Sequence, residues 1–201
     1  MSTIIKLLSI SLLILTLSAC TSIPLKTLYH LSQIDIMTVN PSHLQAATRV
    51  PNGLLEGKKG VQMSFSSWQK GKEGKKKTLN IKLEKVVDSE SLQQIKQFSK
   101  PEYTTELYRI SDIDIQRFKQ FRIAHKKNKA VFGDNQEGSF KIGTDHCRSR
   151  ELSNQPVLVS TWIKVNGRSG LLAFVTDHDL RKEMKKDNQS FDELIPLCDK
   201  E

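Results

Sequence analysis

Two short tracts concentrate the side chains best able to bind a metal or move a proton: Asp145-His146-Cys147 and Asp177-His178-Asp179. Imidazole, carboxylate and thiolate together form a ligand set for zinc or a similar ion, and Cys198 would add a second sulfur. The spacing argues against that use. The chain has no His-x-x-x-His or Cys-x-x-Cys pair, and no Glu is placed to activate a metal-bound water. Asp177 and Asp179 also suit the start of a helix, where carboxylates meet the positive end of aligned peptide dipoles. Neither a metal nor any other cofactor is expected. Acyl-transfer chemistry has as little support, because no Gly-x-Ser-x-Gly elbow occurs and the nearest approach, Gly167-Arg168-Ser169-Gly170, adjoins a tight turn. No catalytic residue is assigned, and the chain reads as non-enzymatic.

A different chemistry is written in Lys70-Gly71-Lys72-Glu73-Gly74-Lys75-Lys76-Lys77. Two glycines among charged residues predict an exposed, mobile loop. Lys70, Lys72, Lys75, Lys76 and Lys77 suit contact with phosphate groups on an anionic surface, and would equally serve as a solubilising hairpin tip. The whole chain leans the same way, with 31 Lys+Arg against 22 Asp+Glu and a net charge of +9. Such a balance fits phospholipid, lipopolysaccharide phosphate or nucleic acid.

The N-terminus bears on which of these the protein meets. Lys6 precedes an apolar run that ends in small residues and a cysteine, Leu17-Ser18-Ala19-Cys20. The run is short for a membrane span and has the layout of a secretory signal with its cleavage site. Read as an ordinary secretory signal, it would carry Cys20 incidentally. The four residues also resemble the lipobox of bacterial lipoproteins. That resemblance implies a diacylglycerol on Cys20, cleavage before it, and acylation of the new N-terminus by a fatty acid such as palmitate. Thr21, where inner-membrane retention has Asp, implies an anchor in the outer membrane facing the periplasm. Nucleic acid is then no partner.

The expected organisation is a signal peptide over residues 1–19, the lipidated cysteine and a short tether over 20–27, and a single α+β periplasmic domain over 28–201. With Cys20 acylated, Cys147 and Cys198 remain as a pair in an oxidising compartment, and a disulfide between them is expected.

Alternation of apolar and polar residues marks the elements that must carry these groups. Strands are predicted over residues 28–36 and 44–50, along Val61-x-Met63-x-Phe65 and Leu79-x-Ile81-x-Leu83, and over 107–110 and 138–144. Residues 157–165 and 168–176 flank Asn166-Gly167, which favours a two-residue hairpin turn. That turn would set Val165 against Arg168, Trp162 against Leu171, Val159 against Phe174 and Leu158 against Val175. Apolar groups on both faces place this hairpin in the middle of a sheet or between layers, not at a solvent edge.

Ser111 and Asp114 form a capping-box pattern ahead of a helix. Ile110, Ile113, Phe118, Phe121 and Ala124 would face inward, and Arg117, Lys119, Arg122 and Lys126 outward. Lys126, Lys127 and Lys129 crowd its C-terminal end. Shorter helices are predicted over 91–98, from a Thr176 or Asp177 cap to 186, and over 191–194. The sum is an α+β fold on an antiparallel sheet, curled or sandwich-like.

The functional expectation is a lipid-anchored cell-envelope protein that binds or assembles with a protein complex or envelope polymer. The other reading is a carrier or chaperone for a lipid or other apolar ligand. Its partners would be the membrane through the anchor, and an envelope protein complex or anionic lipid.

Overall fold

The computed structural model describes residues 37, 39–165, 170–186 and 188–198. The predicted strand over 28–36, the signal, Cys20 and the Asn166-Gly167 turn lie outside the described residues. In chain order the strands are β1 (Gln45–Pro51), β2 (Leu54–Gln69), β3 (Lys77–Lys82), β4 (Glu84–Lys85), β5 (Tyr103–Arg109), β6 (Gln136–Arg148), β7 (Leu158–Lys164) and β8 (Leu172–Asp179). The helices are α1 (Ser89–Gln93), α2 (Asp112–Phe132), α3 (Leu180–Lys186) and α4 (Phe191–Leu194). Two antiparallel sheets result, one of order β4-β5-β1-β7-β8 and one of order β3-β2-β6. The fold is α+β. Among the described residues no helix is long and apolar enough to cross a membrane.

Period-two alternation sorts the central strands into two cores. Ala46, Tyr108 and Ile163 point to one side of the five-stranded sheet, where they meet Val61, Met63, Phe65 and Ile81 of the other sheet together with Phe118 of α2. Their neighbours Ala47, Leu107 and Trp162 point to the opposite side and pack against Val86 and Ile95. Phe98 stacks on Trp162 there, with ring centroids 4.4 Å apart. The larger sheet is thus covered on both faces, which accounts for the two-sided apolar pattern of β7.

The β2–β3 pairing follows the predicted alternation, with Phe65 opposite Leu79 and Met63 opposite Ile81. The β7–β8 register does not follow prediction. Trp162 faces Ala173 where Leu171 was expected, Val159 faces His178 and Leu158 faces Asp179, with irregularities on either side of Thr161. The shift grows from two residues at Trp162 to four at Val159, because the irregularities around Thr161 change the register along the pair. Among the described residues β8 is also an edge strand, so there only β7 has the interior position expected of both.

Two further expectations are corrected. In α2, Ile113 is 73% exposed and Ala124 is exposed, whereas Arg122 is half-buried and donates from Nη1 to the Val39 carbonyl at 2.9 Å. The buried stripe runs through Asp114, Phe118 and His125, rotating the helix away from the face that hydrophobicity alone would choose. His125 is accepted inside because Ser67 Oγ lies 2.9 Å from its Nδ1. Helix α3 starts later than predicted, and its cap is Asp179, whose Oδ1 accepts from the Arg181 N–H at 3.1 Å. Asp177 is spent elsewhere.

Cys147 and Cys198 form a disulfide, with Cα atoms 4.9 Å apart. Around it the C-terminal segment lies along the end of β6. The Arg148 N–H donates to the Pro196 carbonyl and the Cys198 N–H to the Arg148 carbonyl, both at 2.8 Å.

Candidate functional site

The Lys70–Lys77 stretch connects β2 to β3 and is exposed along its length. It is folded into consecutive turns: the Lys72 N–H donates to the Gln69 carbonyl at 2.8 Å and the Lys75 N–H to the Lys72 carbonyl at 2.9 Å. Glu73 Oε1 accepts from the Gly71 N–H at 3.0 Å. Backbone N–H groups, its own and that of Gly71, hold the Glu73 carboxyl below its usual range. Lys76 Nζ sits 4.6 Å from the Trp68 ring centroid. Lys77 is the first residue of β3, so the five lysines occupy defined positions around one turn.

A second polar group spans the two sheets. Tyr108 of β5 reaches Glu106 Oε2 at 2.5 Å and Glu56 Oε2 of β2 at 3.1 Å. One phenol proton serves two carboxylates, so the nearer Glu106 receives it, and Lys85 Nζ donates to the other Glu106 oxygen. His146 of β6 lies beside them, its Nδ1 3.3 Å from the Leu55 carbonyl oxygen. β2 bulges between Glu56 and Val61 at this point. Asp145 supports the bulge by accepting the Lys59 N–H at 2.8 Å. A Cβ on Gly57 would come within 2.6 Å of Asp145 Oδ2, so a side chain there would displace that carboxylate.

Burial raises the Tyr108 phenol pKa and the flanking carboxylates raise it further. Burial also works to raise Glu106, but its hydrogen bonds from Lys85 and Tyr108 outweigh this and hold it below the usual range. A general acid at neutral pH needs the opposite shift. The cluster is chemically suited to joining the sheets, with a titration attached.

That titration has a definite sign. Burial disfavours the charged imidazole and lowers the His146 pKa below 6.5, against the pull of the Leu55 carbonyl, Asp145, Glu56 and Glu106. The stability that depends on neutral His146 is therefore whole above pH 6.5 and is lost as pH falls through the folded value. Glu106 adds a contribution that is whole above pH 4.5 and is lost below it. The thermal midpoint should fall between about pH 7 and pH 5, and His146→Gln should flatten that part while leaving the fall at lower pH. A variant with the wild-type profile would assign the titration to another group.

The two Asp/His tracts do not come together. Asp145, His146 and Cys147 are on β6, in the three-stranded sheet, and Asp177 to Asp179 close β8 in the five-stranded sheet. The described residues include no group of three or more His, Cys, Asp or Glu arranged to hold a metal. Asp177 takes a positive φ of 45° and its Oδ1 accepts from Arg49 Nη2 at 2.8 Å. Arg49 also donates to the Phe98 carbonyl and to Ser160 Oγ, and its guanidinium lies over the Trp162 and Tyr103 rings. Nearby a cleft of about 390 Å³ is lined by Asn52, Tyr103, Arg150, Gln155 and Val157, among others.

Sequence reasoning missed Arg49, Glu56, Glu106 and Tyr108. Arg49 and Glu56 find their partners through the arrangement of strands, which no local motif announces, whereas Glu106 and Tyr108 stand two apart on β5 and share a face by strand alternation. No protein-family model, curated protein or solved structure matches this chain.

Proposed function

We propose that the protein is a lipid-anchored cell-envelope lipoprotein, held by acylated Cys20 in the outer membrane and facing the periplasm. Its folded part is a non-enzymatic module that binds or assembles with an envelope protein complex or polymer. The observation that carries this reading is Leu17-Ser18-Ala19-Cys20 at the end of a short apolar run that follows Lys6. The Cys147–Cys198 disulfide supports it, since a stable disulfide suits an oxidising compartment and leaves Cys20 as the remaining thiol of three.

Cys20→Ser tests the anchor. The wild-type protein should fractionate with outer membranes and incorporate labelled palmitate, and the variant should do neither. A processed wild-type protein found in the soluble fraction would overturn the reading. Purification of the intact lipoprotein from membranes separates the two kinds of binding. A copurifying protein or polymer is the expected result, whereas a stoichiometric free lipid released on unfolding would favour the carrier.

A further inference from the structure

Three separate stretches of chain meet at one end of the three-stranded sheet. Ser67 pairs with Lys77 on β3 and with Gly138 on β6. The Lys70 N–H donates to the Asn135 carbonyl at 2.7 Å, which ties the β2–β3 connection to the turn following α2. Gly133, with φ +57°, ends the helix there. A buried polar clasp holds the end of α2 in place: Gln136 Nε2 donates to Ser67 Oγ at 2.7 Å, and His125 meets the same oxygen.

Lys126, Lys127 and Lys129 of α2 are exposed, as are Lys70, Lys72, Lys75, Lys76 and Lys77. The acidic residues on these segments are Glu73, Asp134 and Glu137, so positive charge dominates. Val131, 75% exposed, adds an apolar side chain to the last turn of α2.

The chain enters the described fold at this same end. Met37 is buried, and its Cε lies 3.5 Å from where a Cβ on Gly138 would stand. Val39 is held by Arg122 of α2. Residues 21–36 separate this entry point from Cys20, at most about 60 Å of extended chain.

We propose that this lysine-rich end rests on anionic phospholipid headgroups of the bilayer that holds the anchor. This inference rests on the lipoprotein reading. Attraction between a lysine and an anionic leaflet decays within a Debye length, so it acts only on charges the tether keeps near the surface. The entry point makes the lysine-rich end the part of the described fold nearest the anchor along the chain. Tethering also makes the contact intramolecular, so lysines individually weak in free solution act at high effective concentration. The lysines of the β2–β3 connection and those of α2 form one contact, although they are far apart in the chain.

The test uses the mature acylated protein reconstituted into vesicles of phosphatidylcholine, with or without phosphatidylglycerol. Gly74→Cys, where an added Cβ meets nothing within 4 Å, carries a fluorophore, and nitroxide-labelled headgroups act as quenchers. Quenching should appear with phosphatidylglycerol and vanish in about 1 M salt, where the screening length is about 3 Å. Changing Lys126, Lys127 and Lys129 to Ser should remove roughly half of it, although the labelled connection is untouched. A floating protein with equal or no quenching in both vesicles would overturn this inference alone, and would direct the lysines to an acidic protein partner instead. A processed wild type that does not float would overturn the anchor and this inference with it.

Discussion

Replacing both Cys147 and Cys198 with Ser is expected to lower unfolding free energy by about 4 kcal/mol. The bond closes a loop of 51 residues, which contains β7, β8, α3 and α4. Losing it returns that loop's conformational freedom to the unfolded chain. Much of the folded contact would survive, because the same segment is held independently by Arg148. That side chain is 5% exposed, donates from Nε to the Ile195 carbonyl at 2.7 Å, and pairs through Nη1 with Glu151 and Asp192.

Arg148→Met should therefore be tolerated better with the disulfide present than absent, with a coupling on the order of 1 kcal/mol between the two changes. Urea denaturation of the single, double and combined variants reads both quantities. A loss below about 1 kcal/mol for the cysteine pair would mean that the unfolded chain gains little freedom when it is cut.

Phe65→Ala is expected to cost about 3–5 kcal/mol. Phe65 is fully buried on β2, with ring centroids 4.5 Å from Phe118 of α2 and 5.3 Å from Phe140 of β6. It is the point at which the three-stranded sheet grips the long helix. Truncation removes a large apolar surface and leaves a cavity bounded by two rings that cannot both close on it. Amide exchange along α2 should rise more than exchange in β5 or β7, since those strands keep their ladder. Ile113→Ala on the same helix should cost no more than about 0.5 kcal/mol, because Ile113 faces solvent. Equal losses at the two positions would show that the packed face of α2 is not the one through Phe118.

Much of this was legible locally. The alternation at Val61, Met63 and Phe65 and at Leu79, Ile81 and Leu83 marks strands and their buried sides, and the structure sets Met63 opposite Ile81 and Phe65 opposite Leu79. Ser111 caps α2 as its type predicts, accepting the Asp114 N–H at 3.2 Å. The Cys147–Cys198 pairing followed from counting cysteines and assigning a compartment. Ile113 misled because helical periodicity reports where apolar residues sit, whereas the buried face is chosen by what the partner sheet offers. Ser67 Oγ, itself held by Gln136 Nε2, offered a hydrogen bond, and His125 took it.

What this chain determined by itself is its local grammar: where strands and helices form, which loop is basic, and which cysteine follows an export-like run. These depend on neighbours a few positions away, whose spacing sets which side chains share a face, though not which face of a helix is buried. The tertiary structure alone decided that β7 lies between β1 and β8, that Glu56, Glu106, Tyr108 and His146 share one cluster, and that two lysine groups flank the chain's entry. Such arrangements depend on strand order and register, which are set by the combined packing of segments distant in the chain.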